Sequence, residues 1–93
     1  MKAIWRNQVI AESDRTLEVG SYRYFPREAV RMDRLLVAPK TQSDLACPNG
    51  VQFYDVTDGA GQSSRGAWSY EAPRVGMQQV DHWISFWDDV EIK

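Results

Sequence analysis

A single cysteine, Cys47, and a single histidine, His82, are the side chains of this sequence best suited to nucleophilic or proton-transfer chemistry. A nucleophilic thiol needs a neighbouring base, a cation or a helix N-terminus, together with partial exposure. The stretch LACPNGVQFYDV holds Cys47 with no adjacent histidine, and no pattern ties it to Lys40 or Arg34, the nearest cations. Pro48 and Gly50 suit a turn into the following strand. Cys47 therefore reads as a small packed thiol, in keeping with the frequent burial of free cysteine. His82, between Asp81 and Trp83 on an expected strand, reads as a half-exposed packing residue. One Cys and one His cannot complete a four-ligand zinc site, so neither metal nor cofactor is expected. The carboxylates give no better footing. Two-metal nucleotidyl transfer wants two carboxylates on one strand face, which means one residue between them. Asp55 and Asp58 are three apart, Asp88 and Asp89 are adjacent, and Gly20-Ser21 is followed by no such pair.

The aromatic residues offer a different chemistry. Trp68 and Tyr70 share one face of an expected strand, and Trp83 and Trp87 lie opposite His82, Ile84 and Phe86 on another. One face must be core; the other leaves large rings at a surface or cleft, where they bind through area and stacking. The candidate ligand-binding residues are Tyr24, Trp68 and Tyr70, with Arg23 at the rim. The first functional reading is a non-catalytic binding or interaction module holding a small molecule or a peptide of a protein partner. The alternative is a small enzyme using Cys47, with His82 or a tyrosine as proton carrier, on an unidentified metabolite. No catalytic residue is assigned.

Hairpins must position these rings. Ala3–Arg6 and Val9–Glu12 flank Asn7-Gln8, a loop of two-residue length. Leu17 and Val19 alternate with Glu18, and beyond Gly20-Ser21 the run Tyr22–Phe25 is rich in β-favouring aromatics. Pro26 suits the start of a short helical turn over Arg27–Val30. Leu35–Val37 reads as a buried strand ended by Pro39, followed by a polar loop from Lys40 to Ala46. Val51–Val56 and Gly66–Tyr70 form a third hairpin with a Gly- and Ser-rich tip, and Arg74–Gln79 could hold one helical turn. His82–Trp87 and Val90–Ile92 surround a last tight turn at Asp88-Asp89. The expected fold is mainly β, a small barrel or folded-over sheet built from hairpins with one or two short helical turns.

The 93 residues make one domain, 1–93, whose small size demands a core of large side chains; four Trp, four Tyr and three Phe supply them. Eleven basic and thirteen acidic residues, interspersed, give no electrostatic footprint for nucleic acid or anionic membrane. One cysteine fits a reducing cytoplasm. The start, MKAIWRNQVIAES, lacks an apolar leader region, and nowhere do eighteen apolar residues run together. The whole chain is thus the expected mature protein, with oligomeric state open.

MKAIW, IAESD, the YFP of Tyr24-Phe25-Pro26, Cys47-Pro48, the YDV of Tyr54-Asp55-Val56, the AWxYxxP pattern from Ala67 to Pro73 and the FWxxVxI pattern from Phe86 to Ile92 occur in an order that resembles a bacterial family. That family is domain of unknown function 427, sometimes given a nucleotidyltransferase-like name. The resemblance spans essentially the whole chain and implies a small, mostly β, single-domain fold, for which the β-tent is one form. It implies no reaction. The chain departs from the family where CPWKG is usual, having Cys47-Pro48-Asn49-Gly50 and so no lysine. Ser21-Tyr22-Arg23 stands where Gly-Asn-His is frequent.

Overall fold

The computed structural model describes residues 1–93. Nine strands, β1 (Lys2–Trp5), β2 (Gln8–Glu12), β3 (Leu17–Val19), β4 (Tyr22–Phe25), β5 (Leu35–Val37), β6 (Val51–Thr57), β7 (Gln62–Tyr70), β8 (Ile84–Phe86) and β9 (Glu91–Ile92), build two antiparallel sheets. The smaller has the order β2-β1-β9 and the larger β3-β4-β8-β7-β6-β5, so the larger sheet ends at β3 and β5 and closes no barrel. The domain is a folded-over sheet. No helix is long and apolar enough to cross a membrane.

Local chemistry explains most of these elements and corrects several sequence expectations. The first hairpin turns one residue earlier than its Asn-Gln loop suggested: Arg6 and Asn7 both take positive φ, and Trp5 pairs with Gln8. This is the primed turn whose twist matches that of the strands. Consecutive buried residues Ile10 and Ala11 break the alternation of β2 because the register slips there, Ala3 facing Ala11 while Ile4 faces Val9. The expected polar loop after Pro39 contains a helical turn, α1 (Gln42–Ala46). Thr41 and Asp44 form a reciprocal capping box at its start, the Asp44 N–H donating to Thr41 Oγ1 at 3.2 Å and the Thr41 N–H to Asp44 Oδ2 at 3.0 Å. Three 3₁₀ turns, Arg27–Ala29, Met32–Arg34 and Gln78–Val80, bring the helical segments to more than the one or two expected. The last hairpin is also absent. β8 belongs to the larger sheet and β9 pairs with β1 in the smaller, so the Asp88-Asp89 turn carries the chain between sheets. β5 is an edge strand with Leu35 alone buried; Val37 is 70% exposed.

The core lies between the sheets. Ala3, Trp5 and Ile10 of the smaller sheet meet Phe25, Val56, Ala67, Ile84 and Phe86 of the larger, with Val90 from the crossing segment. Strand alternation then sends Trp68 and Tyr70 of β7, Tyr22 and Tyr24 of β4 and Phe53 of β6 to the outer face. There a second cluster forms around Tyr24, Val51, Trp68 and Val80, with Cys47, Phe53, Tyr70, Met77 and Trp83 packed against it. This is why β7 is buried continuously from Gly66 to Ser69 rather than at alternate positions.

Candidate functional site

On that outer face an apolar groove of about 180 Å³ opens between Tyr22, Val51, Phe53, Trp68, Tyr70 and Trp87. Cross-strand pairing assembles it: Phe53 faces Trp68 and Val51 faces Tyr70 across β6 and β7. Tyr22 stands at 90° to Trp68 with ring centroids 4.9 Å apart, and Trp87 at 79° and 5.7 Å. Phe53 is tilted against both, 6.1 Å from Trp68 and 6.2 Å from Trp87. Trp68 is only 5% exposed, whereas Tyr22 and Trp87 are 39% and 42% exposed. Trp68 is therefore the buried member and the other two are the accessible walls.

An irregularity in β7 fixes one wall. Between the pairs Tyr54–Ala67 and Val56–Ser63, three residues of β7 (Ser64, Arg65, Gly66) oppose only Asp55 of β6. Arg65 takes φ 55°, and its backbone N–H donates to Asp55 Oδ1 at 2.8 Å. Gly66 is required because a Cβ there would collide with the Ser63 side chain. The bulge turns the Arg65 carbonyl to the Trp87 indole N–H at 2.6 Å and lays the guanidinium 4.0 Å from the centre of the Phe53 ring. The same guanidinium binds Asp44 through two hydrogen bonds of 2.7 and 3.0 Å. Hydrogen bonding from Arg65 outweighs burial and holds the Asp44 carboxyl at about 2, while Asp44 pushes Arg65 upward.

The sequence-predicted site residues are partly brought together. Trp68 and Tyr70 line the groove. Tyr24 lies beside them in the buried cluster, its ring 6.2 Å from Trp68 and 6.3 Å from Tyr70, and does not line the groove. Burial, then the neighbouring Tyr70, pushes its hydroxyl up to about 12, so it is a neutral phenol. Arg23 is on the opposite face of β4 from Tyr22 and Tyr24 and is not among the lining residues; its guanidinium is 3.5 Å from Thr16 Oγ1 and 3.9 Å from Glu18. The sequence reading missed the walls Tyr22, Phe53 and Trp87 and the positioning role of Arg65. The spacing of Tyr22 and Tyr24 was a usable signal for a shared face; the register that sets Phe53 against Trp68 had none.

Cys47 follows α1, its backbone N–H donating to the Asp44 carbonyl at 3.1 Å, and its half-buried side chain packs on the outer cluster. His82 is engaged elsewhere. With φ 64°, it holds Nδ1 2.5 Å from Asp81 Oδ1 and Nε2 3.4 Å from Glu71 Oε1. Arg27 donates to the His82 carbonyl and to the Tyr54 hydroxyl, each at 3.0 Å, and Tyr54 meets Ser69, which bonds Glu71. Ser69 is fully buried. A substrate cannot reach its hydroxyl, so these groups act as a brace between the 3₁₀ turn after β4, the middle of the larger sheet and the segment entering β8.

The aspartates also have structural partners. Asp58 accepts from the Ala60 and Gly61 amides and pairs with Arg6, and Asp89 binds Ser63 and the Trp5 indole N–H; both carboxyls are lowered, chiefly by those amides and by the Ser63 hydroxyl respectively. No three His, Cys, Asp or Glu side chains converge to hold a metal ion.

No curated protein matches the chain. A family model named NTP_transf_9, described as domain of unknown function (DUF427), matches residues 1–93. The whole sequence, including every wall of the aromatic groove, is therefore spanned by one family, and the chain belongs to the DUF427 family.

Proposed function

We propose that the protein is a non-catalytic binding module whose ligand seats an apolar or aromatic group in the groove between Tyr22, Phe53, Trp68 and Trp87. The observation that carries this reading is the lining itself: five of the six residues are aromatic and the sixth is Val51, and two of the large rings stay about two-fifths exposed. Exposed rings held in fixed orientation lose little conformational freedom on binding and contribute area and stacking. The Arg65–Asp44 pair keeps Phe53 and Trp87 in place before a ligand arrives. His82, the one histidine, is held by Asp81 and Glu71 rather than bonded to the Cys47 thiol, which favours binding over cysteine chemistry.

The test is a fragment screen read by aromatic ¹H–¹³C spectra. Binding fragments are expected to perturb the rings of Tyr22, Phe53 and Trp87 together, and Trp87→Ala to remove those shifts while the protein still melts cooperatively. A screen that yields no fragment acting on these rings, or hits confined to another surface, would sink the proposal.

A further inference from the structure

We infer that the groove's ligand is a small molecule whose apolar body carries an oxyanion, a carboxylate or a phosphate, and that Lys40 and Arg74 bind this head at the Val51 end of the groove; the inference rests on the binding reading above. What carries it is where the chain leaves positive charge unmatched. Acids outnumber bases, thirteen to eleven, and every Lys or Arg side chain but two lies within 4.0 Å of a carboxylate. The two are Lys40 and Arg74. Both are tied to one short segment, Asn49 to Val51, whose last residue lines the groove. Lys40 arrives from the side of β6 that pairs with β5, and its Nζ donates to the Val51 carbonyl at 2.8 Å. Arg74 arrives from the other side, beyond the end of β7, and its backbone N–H donates to Asn49 Oδ1 at 2.9 Å. The backbone here is tightly held. The Glu71 and Ala72 amides donate to the Gly50 and Asn49 carbonyls at 3.0 and 3.1 Å, and Gly50, at φ 65°, has Ala72 so close that a Cβ would lie 3.1 Å from the Ala72 Cβ. The segment that carries Arg74 is thereby fixed against the groove.

The two ends of the groove differ in charge. Beside Phe53 the Arg65 guanidinium is matched by Asp44, which takes two hydrogen bonds from it. At the Val51 end no carboxylate performs that service. Glu71 follows Tyr70 in the chain and Asp81 pairs with Tyr70, but Glu71 is engaged by Arg27, Ser69 and His82, and Asp81 by His82. Lys40 Nζ spends one of its three N–H groups on the Val51 carbonyl, and the Arg74 guanidinium makes no hydrogen bond within the protein, so donors remain for a ligand. Tyr70, opposite Val51, adds a phenol to the same end. An anion joined to an apolar body therefore meets rings at one end and unmatched cations at the other, and a cation of the same shape is repelled. Lys40 and Arg74 are exposed, so water screens them and their contribution is modest: it orients the ligand and sets its sign more than it tightens the complex.

The experiment titrates the protein with phenylacetate, phenyl phosphate, the neutral phenylacetamide and the cation phenethylammonium, with acetate and inorganic phosphate as bare heads. Ring spectra of Tyr22 and Trp87 report the body, and the side-chain methylene signals of Lys40 and Arg74 report the head. Both aromatic anions are expected to shift all four residues saturably, about fivefold tighter than phenylacetamide, with phenethylammonium weakest. The preference should shrink as ionic strength rises from about 0.01 to about 0.15 M. Lys40→Met and Arg74→Gln should each weaken anion binding about threefold and leave phenylacetamide binding unchanged, with melting curves checking that both variants are folded. Equal binding of phenylacetate and phenylacetamide would overturn the anion assignment and leave the binding reading standing. An anion preference that survives in the double variant would remove Lys40 and Arg74 from the site. Shifts of Lys40 and Arg74 with bare acetate or phosphate, and no ring response to the aromatic anions, would mean an adventitious ion only and overturn the inference. No response to any probe would also overturn it, and the fragment screen then decides the broader reading by itself. A peptide ending in Phe that binds where the small anions do not would overturn the small-molecule assignment.

Discussion

On its inner face the larger sheet sets Phe25 against Phe86, ring centroids 5.8 Å apart, beneath a second sheet; on its outer face it sets Trp68 among Tyr22, Phe53 and Trp87, beneath no sheet at all. Both faces use edge-to-face rings. The difference lies in what lies over them. The inner rings meet aliphatic side chains of β1 and β2 and are covered, whereas the outer ones meet Val80, Met77, Trp83 and Cys47 from irregular segments and reach solvent at Tyr22 and Trp87. The two most buried indoles differ as well: Trp5 donates to Asp89 at 3.2 Å, while the Trp68 N–H makes no hydrogen bond of good geometry. The inner face is covered and its buried side-chain polar groups are paired, as a face that serves stability should be; the outer face is left partly open, which is the feature the proposed binding role uses.

The largest expected effect breaks the comparison from the inner side. Phe25→Ala should destabilise the domain by about 3–5 kcal/mol, enough to unfold much of so small a chain, whereas Trp87→Ala should cost about 1–2 kcal/mol. Urea denaturation of the two variants measures the gap; equal losses would mean that the outer cluster is a second core. Trp68→Ala is expected to resemble the inner class, because a residue so nearly buried leaves a cavity whatever groove it lines.

A matched pair sharpens the contrast further. Trp5→Phe discards a hydrogen bond and leaves Asp89 without one donor, but Trp68→Phe removes an N–H that makes no hydrogen bond of good geometry. The first should therefore cost about 1–3 kcal/mol more than the second. Melting curves that show the reverse order would assign the Trp68 N–H a partner.

Acid titration probes the support of the groove. Because Asp44 sits at about 2 in the folded state, below its ordinary value of 3.8, the unfolded chain takes up the proton first and stability rises with pH across that interval. The contribution is fully present above about pH 4 and is lost as pH falls through about 2. Asp44→Asn should lower stability by about 1–3 kcal/mol at neutral pH, by stranding Arg65, and should flatten the acid limb of the stability curve. An unchanged acid limb would remove the ion pair from the account.

The smallest effect concerns Cys47. Its packing on the outer cluster predicts a cost of about 1–2 kcal/mol for Cys47→Ser and less for Cys47→Ala, with native alkylation slower than in the unfolded chain. A native thiol as reactive as free cysteine would reopen the enzyme reading.

The sequence by itself determined the first three hairpins, the mainly β class and the sharing of faces by Trp68 with Tyr70 and of Ile84 with Phe86, because strand alternation and turn chemistry are local. It did not reveal α1, whose Thr41–Asp44 box lies among polar residues with no apolar period, nor the crossing of the chain from β8 to β9, which looks like a hairpin until β9 finds β1. The groove was half legible. Two of its six lining residues were named from one strand, but Tyr22, Phe53 and Trp87 come from other strands and from the turn into the smaller sheet. Only the tertiary structure could choose them: which ring meets which is set by register between segments up to dozens of residues apart. The bulge at Arg65 fixes the register of β7 against β6 and aims the guanidinium at Phe53 and Asp44 and the backbone carbonyl at Trp87.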